Sequence, residues 1–260
     1  MDQSLARLVH RNLMDVTAWG AEGAGGTVLA EDGERLIASS STFPFLNAVM
    51  REGSNGDAAD LLERARKFFF ARERGFVAYT RPGDPELEEA ALAAGMSPVL
   101  ERCPEMICHA PLAGPAGDLR AVVDLAGAAA YWRICDEAYP SIGFPPGLFT
   151  DTFAPQLLLE EDRVWACVAY ENEQPVACAS LWMTAGAGSE VGFIGWVAAL
   201  PQARGRGLAA ACTALATNRG FELGADVVSL QASLPGEPVY RRLGYQELFA
   251  YRLLGAMPQA

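Results

Sequence analysis

Between Trp196 and Ala210 the chain reads WVAALPQARGRGLAA, an apolar, strand-like run that breaks at Pro201 and enters an alanine-rich helical pattern. The first turn of a helix exposes backbone N–H groups without intrahelical partners and carries the positive end of the helix dipole, so this junction suits an anion. Gly205 and Gly207 let the backbone approach phosphate oxygens, and Ala209 keeps the first turn uncluttered. Nine Lys and Arg residues lie beyond residue 110, and four of them (Arg204, Arg206, Arg241, Arg242) flank this loop or the short helix after the next strand. That concentration of cations fits a ligand with several phosphates.

A G-x-G at a helix start is common by itself, and a dinucleotide site is its specific rival. That site needs G-x-G-x-x-G after the first strand and an acidic residue about 20 positions on, at a strand end. Here the third glycine is missing, the loop follows the third strand of a meander, and Asp226 precedes its strand instead of ending it. The six cysteines form no C-x-x-C pair, and Cys103, Cys108 and His109 lack a second pair of ligands. With His10 the only other histidine, a zinc site or a Ser-His-Asp triad is not expected. Most of the cysteines sit in apolar runs and read as buried free thiols of a reducing compartment.

Net charge is −12, and residues 1–110 and 111–260 carry −6 each, with no basic face. Nucleic acid is therefore not an expected partner, because its affinity rests on neutralised phosphates. No apolar run reaches the roughly 20 residues of a membrane span. The start MDQSLARLVHRNL is charged and amphipathic, unlike a secretion signal, so a cytoplasmic location without membrane association is expected.

The elements that must position the loop follow from periodicity. APLAGPAG (110–117) reads as a linker between residues 1–110 and 118–260. Beyond it the pattern predicts a strand at 119–125, a helix at 128–139, a loop PSIGFPPG at 140–147 and a helical stretch at 148–162 broken by Pro155. Three strand-like runs (164–171, 176–184, 190–200) make an antiparallel meander, followed by a helix at 207–224, a strand at 226–233, a short helix at 237–244 and a strand at 245–254. The first half reads as a helix at 2–19, a hairpin around Glu31-Asp32-Gly33-Glu34, a strand at 45–51, a helix at 57–74 capped by Asp57, then strand, helix, strand. PGDP at 82–85 and PGEP at 235–238 open closely similar segments, which points to an internal duplication.

Arg204-x-x-Gly207-x-Ala209 resembles the Q/R-x-x-G-x-G/A signature of the GCN5-related N-acetyltransferases (GNAT), and Val197-Ala198-Ala199-Leu200-Pro201 looks like that family's splayed fourth strand. Tyr240-Arg241-Arg242-Leu243-Gly244-Tyr245 resembles its Y-x-x-L-G-F/Y motif. The resemblance covers residues 119–254 and implies two α/β domains of GNAT type, each a mixed, mostly antiparallel sheet flanked by helices. It implies acetyl-CoA as co-substrate, no metal, and direct attack by an amino group of a small molecule or peptide. The backbone of Val197, Ala198 and Ala199 would pair with the pantetheine arm, and amides of Arg204, Gly205, Arg206, Gly207, Leu208, Ala209 and Ala210 would hold the pyrophosphate. Ser233 would stand near the cofactor, and Tyr240 would donate a proton to the departing thiolate.

The chain departs from the family where some members carry a Glu on the fourth strand, for it has Phe193 and Gly195 there. Glu190, Asp136, Glu137 and Tyr139 are the candidates for a base, with a water chain as the alternative. The first half lacks both motifs: EGSNGDAADLL stands in place of the phosphate loop and Ala91 in place of the phenol, the pattern of a degenerate domain. A monomer or weak homodimer is expected. A CoA-binding regulatory or scaffold protein, and a transferase for longer acyl chains or hydroxyl acceptors, are the competing readings.

Overall fold

The computed structural model describes residues 2–53, 56–160, 163–186 and 189–258. The chain divides into two units, one of Met1–Glu105 with Glu247–Ala260 and one of Met106–Gln246.

In the first unit, helix α1 (Gln3–Gly23) is capped by the Asp2 carboxylate, which accepts from the amides of Ser4 and Leu5. Strands β1 (Thr27–Glu31) and β2 (Glu34–Ala38) form a hairpin whose two turn residues, Asp32 and Gly33, have φ of 47° and 81°. Positive φ at both positions is what a two-residue hairpin matching strand twist requires. A 3₁₀ turn, Pro44–Leu46, precedes β3 (Asn47–Arg51), so the strand expected from residue 45 begins two residues later. Helix α2 (Ala58–Phe70) crosses to β4 (Phe76–Thr80), which lies parallel to β3. Helix α3 (Pro85–Ala93) leads into the long strand β5 (Ser97–Cys108). The sheet order β1-β2-β3-β4-β11-β5 contains the last strand of the sequence, β11 (Gln246–Ala256), whose Arg252 through Ala256 pair antiparallel with Thr80 through Phe76. Leu36, Val49, Leu61, Phe69, Phe76 and Leu254 fill the core beneath α2.

Buried polar side chains tie distant segments of this unit together. His10 places Nδ1 2.8 Å from the Tyr251 hydroxyl and Nε2 2.9 Å from the Arg51 carbonyl. The Arg51 guanidinium is held by both oxygens of Asp84, itself the cap of α3.

In the second unit, β6 spans Asp118–Ala121, not residues 119–125, because Asp124 accepts from the Gly127 amide and starts helix α4 (Leu125–Ala138) early. A 3₁₀ turn, Tyr139–Ile142, follows, and then the short helix α5 (Leu148–Thr152). Pro155–Leu159 is a separate 3₁₀ turn, since proline at its start cannot continue the hydrogen-bond ladder of α5. The expected helix end at Glu161 and Asp162 lies outside the described residues. Strands β7 (Val164–Glu171), β8 (Gln174–Gly186) and β9 (Ser189–Ala199) form the antiparallel meander. Helix α6 (Leu208–Glu222) then crosses to β10 (Val227–Gln231), parallel to β9, and α7 (Glu237–Leu243) precedes β11. Strand order runs β10-β9-β8-β7-β6, with the end of β5 (residues 106–108) on the free side of β10.

Both units thus contain the same parallel strand–helix–strand crossover, β3-α2-β4 and β9-α6-β10, joined to antiparallel neighbours. Residues 109–117, which include the segment 110–117 expected as a linker, carry neither strand nor helix and lie within the second unit. Asn218 on α6 anchors them by accepting from the Leu112 amide at 2.7 Å and donating to the Leu112 carbonyl at 3.1 Å.

Candidate active site

The pairing of β9 with β10 runs from Val191 opposite Val227 to Ile194 opposite Leu230 and then stops. On the other side, β8 stays paired to Ala199, but Trp196 and Val197 face the single residue Ala179 as the register shifts. This is a β-bulge, and Trp196 carries it at φ 47°, a left-handed conformation that a bulky residue adopts only when its surroundings hold it. Tyr131 of α4 supplies the restraint. Its buried hydroxyl lies 2.9 Å from the Trp196 carbonyl, while Trp182 Nε1 donates to Ser180 Oγ and Ser180 Oγ donates to the Gly195 carbonyl. One proton is thereby assigned to each bond. Beyond the bulge, β9 turns away from β10, and among the described residues Val197, Ala198 and Ala199 have no strand neighbour on that side.

The loop after β9 is shaped by two left-handed glycines, Gly205 at φ 75° and Gly207 at φ 78°. A Cβ at either position would meet nothing within 4 Å, so the loop faces open space. Gly207 caps α6 without any side chain, and the first helical hydrogen bond runs from the Ala211 amide to the Gly207 carbonyl. Among the described residues, the six amides from Gly205 to Ala210 therefore donate to no protein acceptor. They form a concave set of unpaired donors at a helix N-terminus, the chemistry a pyrophosphate needs.

The arginines behave otherwise than the sequence suggests. Arg204, though exposed, donates from its guanidinium to the carbonyls of Ala199 (3.3 Å) and Ala138 (3.1 Å) and to Ser141 Oγ (2.9 Å). Arg206 pairs with Glu171 at 2.6 Å, and Arg241 with Glu237 at 2.7 Å. Only Arg242 of the four is exposed with no partner among the described residues.

Tyr240 is buried on α7, its ring edge-on to Tyr245 at 6.1 Å between centroids. Tyr245 in turn is tied to α6 through Thr217 Oγ1 at 2.6 Å. The Tyr240 hydroxyl has no hydrogen-bond partner among the described residues, and burial raises its pKa, so the phenol keeps its proton at neutral pH. Ser233 is exposed just before α7, and its Oγ accepts from the Gly236 amide at 3.2 Å, which leaves its own proton free to donate outward.

Of the four candidates for a base, Asp136 is spent. Its carboxylate accepts from the amides of Phe149 (2.7 Å) and Thr150 (3.1 Å) and from the Thr150 hydroxyl (2.6 Å). Glu190 begins β9 six residues before the bulge, roughly 20 Å away along an extended strand. Glu137 is exposed on α4. Tyr139 lies against Trp196 at 5.8 Å, its hydroxyl without a partner among the described residues. Burial, then Cys135 and Tyr240, raise that phenol well above its ordinary pKa, so it is neutral too. Sequence reading missed Tyr131 and the strain at Trp196, since a tyrosine inside AAAYWRICDEAY carries no signal that it latches a distant carbonyl.

A bulged strand laid open beside a glycine-capped helix of bare amides distinguishes the second α/β unit. Residues 128–245 match the model of the acetyltransferase (GNAT) family. A GCN5-related N-acetyltransferase from Kribbella flavida has the same fold, with a TM-score of 0.69 at 22% identity over 95% of each chain. Another from Sphaerobacter thermophilus gives 0.63 at 18% identity, over 86% of this chain and 76% of that one. A tandem GNAT protein from the clavulanic acid biosynthesis pathway gives 0.62 at 14% identity, over 97% of this chain and 95% of that one. No curated protein matches the sequence. The fold class read from the sequence, two GNAT-like α/β units, holds for the whole chain. Among the described residues, no group of His, Cys, Asp and Glu is placed to hold a metal ion, and no helix is long and apolar enough to cross a membrane.

Proposed function

We propose that the second unit transfers an acetyl group from acetyl-CoA to an amino group of a small molecule or peptide by direct attack. The row of six unpaired amides from Gly205 to Ala210, beside the strand edge opened at Trp196, is the observation that best supports this reading. Acetyl-CoA would supply the activated acyl carbon. The amides of residues 205–210 hold its pyrophosphate, the Arg204 amide being already engaged by the Pro201 carbonyl, with Arg242 rather than Arg204 or Arg206 as the cation without a partner among the described residues. The exposed backbone of Val197, Ala198 and Ala199 receives the pantetheine arm as an added strand. Ser233 donates its remaining proton to the cofactor.

Tyr240 faces the sulfur. A phenol raised above its usual pKa of about 10 is a weaker acid than a thiol at about 8.5, so full transfer is uphill at rest. Tyr240 therefore stabilises the departing thiolate through a donated hydrogen bond, and proton transfer is completed once the amine's proton reaches the site. With Asp136 and Glu190 removed from consideration and Tyr139 held neutral, that proton leaves through water or the exposed Glu137.

The first unit repeats the crossover but reverses its electrostatics. Asp57 caps α2 with a carboxylate that accepts from the amides of Ala59 and Asp60. The donors that Gly207 leaves bare are thus already filled in α2, and by a negative charge. Ala91, in the place of the phenol, is fully buried. We read the first unit as a degenerate partner, and the protein as a monomer or weak homodimer.

Titration with acetyl-CoA by calorimetry, together with thiol release across a panel of amines, tests the assignment. Tyr240→Phe is expected to lower kcat about a hundredfold while leaving the cofactor Kd unchanged. If acetyl-CoA binds and no amine raises thiol release, the regulatory or scaffold reading replaces catalysis.

A further inference from the structure

We propose that the acceptor subsite of the second unit is a preformed aromatic wall of Tyr139, Phe144 and Trp196, which selects an amine carried on an aromatic body. This rests on the acetyl-transfer reading above and adds its substrate class.

The wall is the outer of two aromatic layers. In the inner layer Trp132 stacks on Phe153 at 5.0 Å and on Phe149 at 6.1 Å, and all three are sealed from solvent. In the outer layer Tyr139 meets Phe144 at 5.1 Å and Trp196 at 5.8 Å, and these three rings are only half-buried. Phe149 joins the layers, 4.8 Å from Tyr139 and 5.0 Å from Trp196. Trp196 is the residue of the bulge, immediately before Val197, so the outer layer borders the strand edge assigned to the thioester arm.

The wall is held in position before any ligand arrives. Ser141 Oγ donates to the Ala138 carbonyl at 2.7 Å, and Arg204 ties Ala138 and Ser141 to the end of β9. Arg204 and Asp136 each spend their hydrogen bonds inside the protein, the latter on Phe149 and Thr150. Tyr139 and Tyr240 stay neutral. A second ammonium or a carboxylate laid against these rings would lose its hydration. Aromatic faces also attract cations, but an ammonium held that way is protonated and cannot attack the thioester. A flat apolar ring buries area against the wall and leaves the nitrogen free, with the Tyr139 hydroxyl available as a donor.

The test uses the full chain saturated with CoA, titrated by calorimetry with 2-phenylethylamine, 1,4-diaminobutane and a short lysine peptide. We expect 2-phenylethylamine to bind at least tenfold more tightly than the other two. Phe144→Ala and Phe144→Leu should weaken it about tenfold and two- to threefold respectively, with the CoA Kd and the Tm both within error of wild type. Equal or tighter binding of the diamine or the peptide overturns the proposal, as does unchanged 2-phenylethylamine binding in a folded Phe144→Ala. Failure of CoA itself to bind strikes the cofactor reading separately. Amine binding without thiol release supports the wall and removes catalysis.

Discussion

His10 makes the first unit sensitive to acid in a way that can be worked out from its surroundings. The Arg51 carbonyl can only accept, so Nε2 carries the proton and Nδ1 must accept from the Tyr251 hydroxyl. A second proton, on Nδ1, would point at that hydroxyl, deprive it of its acceptor and place a cation in a site with no exposure. Burial first, and then the nearby Arg81, hold the imidazole at a pKa of about 3, against 6.5 when unfolded. Between these values the unfolded chain binds a proton that the folded one refuses, so stability is complete above pH 6.5 and falls as pH drops toward 3. The slope approaches about 1.4 kcal/mol per pH unit, and integrating it from pH 7 to pH 5 gives a loss of about 2 kcal/mol from this one residue. Urea unfolding of wild type and His10→Gln at pH 7, 6 and 5 should show that difference in pH dependence. The chain has two histidines, so the His10 ring signal is assigned in a proton NMR titration by its disappearance in His10→Gln. A His10 ring that titrates near pH 6.5 in the folded protein, or identical pH profiles for the two chains, would refute the reasoning.

Two further perturbations address the second unit. Gly207→Asp gives α6 the capping residue of α2 at φ 78°, where a standard cap cannot form, and adds a negative charge beside the bare amides. The CoA Kd should rise tenfold or more, in calorimetry, and a smaller change would separate the amides from the pyrophosphate. Tyr131→Phe removes the donor to the Trp196 carbonyl and leaves that carbonyl buried without it. A loss of about 1–3 kcal/mol in urea unfolding is expected, together with weaker CoA binding as the bulge relaxes. Wild-type stability in this variant would mean that Tyr131 does not hold the strained backbone.

How much of this was legible depends on whether the signal was local. The glycine cap, the crossover after it and the phenol of α7 are short-range features, and Arg204 to Tyr245 spelled them out in order. The hairpin at Asp32-Gly33 was equally plain, because only certain residues tolerate positive φ at both positions. What the guanidiniums do was not legible: Arg204 and Arg206 stood beside the phosphate loop, yet nearby carbonyls and Glu171 claim both. Element starts moved wherever a cap or proline took precedence over periodicity, at Asp124 and Pro155.

The place of the last strand shows where local reading ends. Both β5 and β11 follow a short helix in equivalent segments, and either would satisfy the hydrogen bonds of the strand before it. In the structure β4 is paired by β11, and the free side of β10 takes the end of β5. Nothing in the alternation of either strand encodes that choice, since register and partner depend on packing across distant sequence. What fixes β11 is a set of contacts within the first unit. Tyr251 supplies the hydroxyl that His10 needs, the Arg252 carbonyl accepts from Thr80 Oγ1 at 2.8 Å, and Leu254 enters the core beside Phe76. Each of these requires the C-terminal segment to reach residues more than 170 positions earlier. The acid-labile His10–Tyr251 bond is therefore also the bond that records which strand completed the first unit.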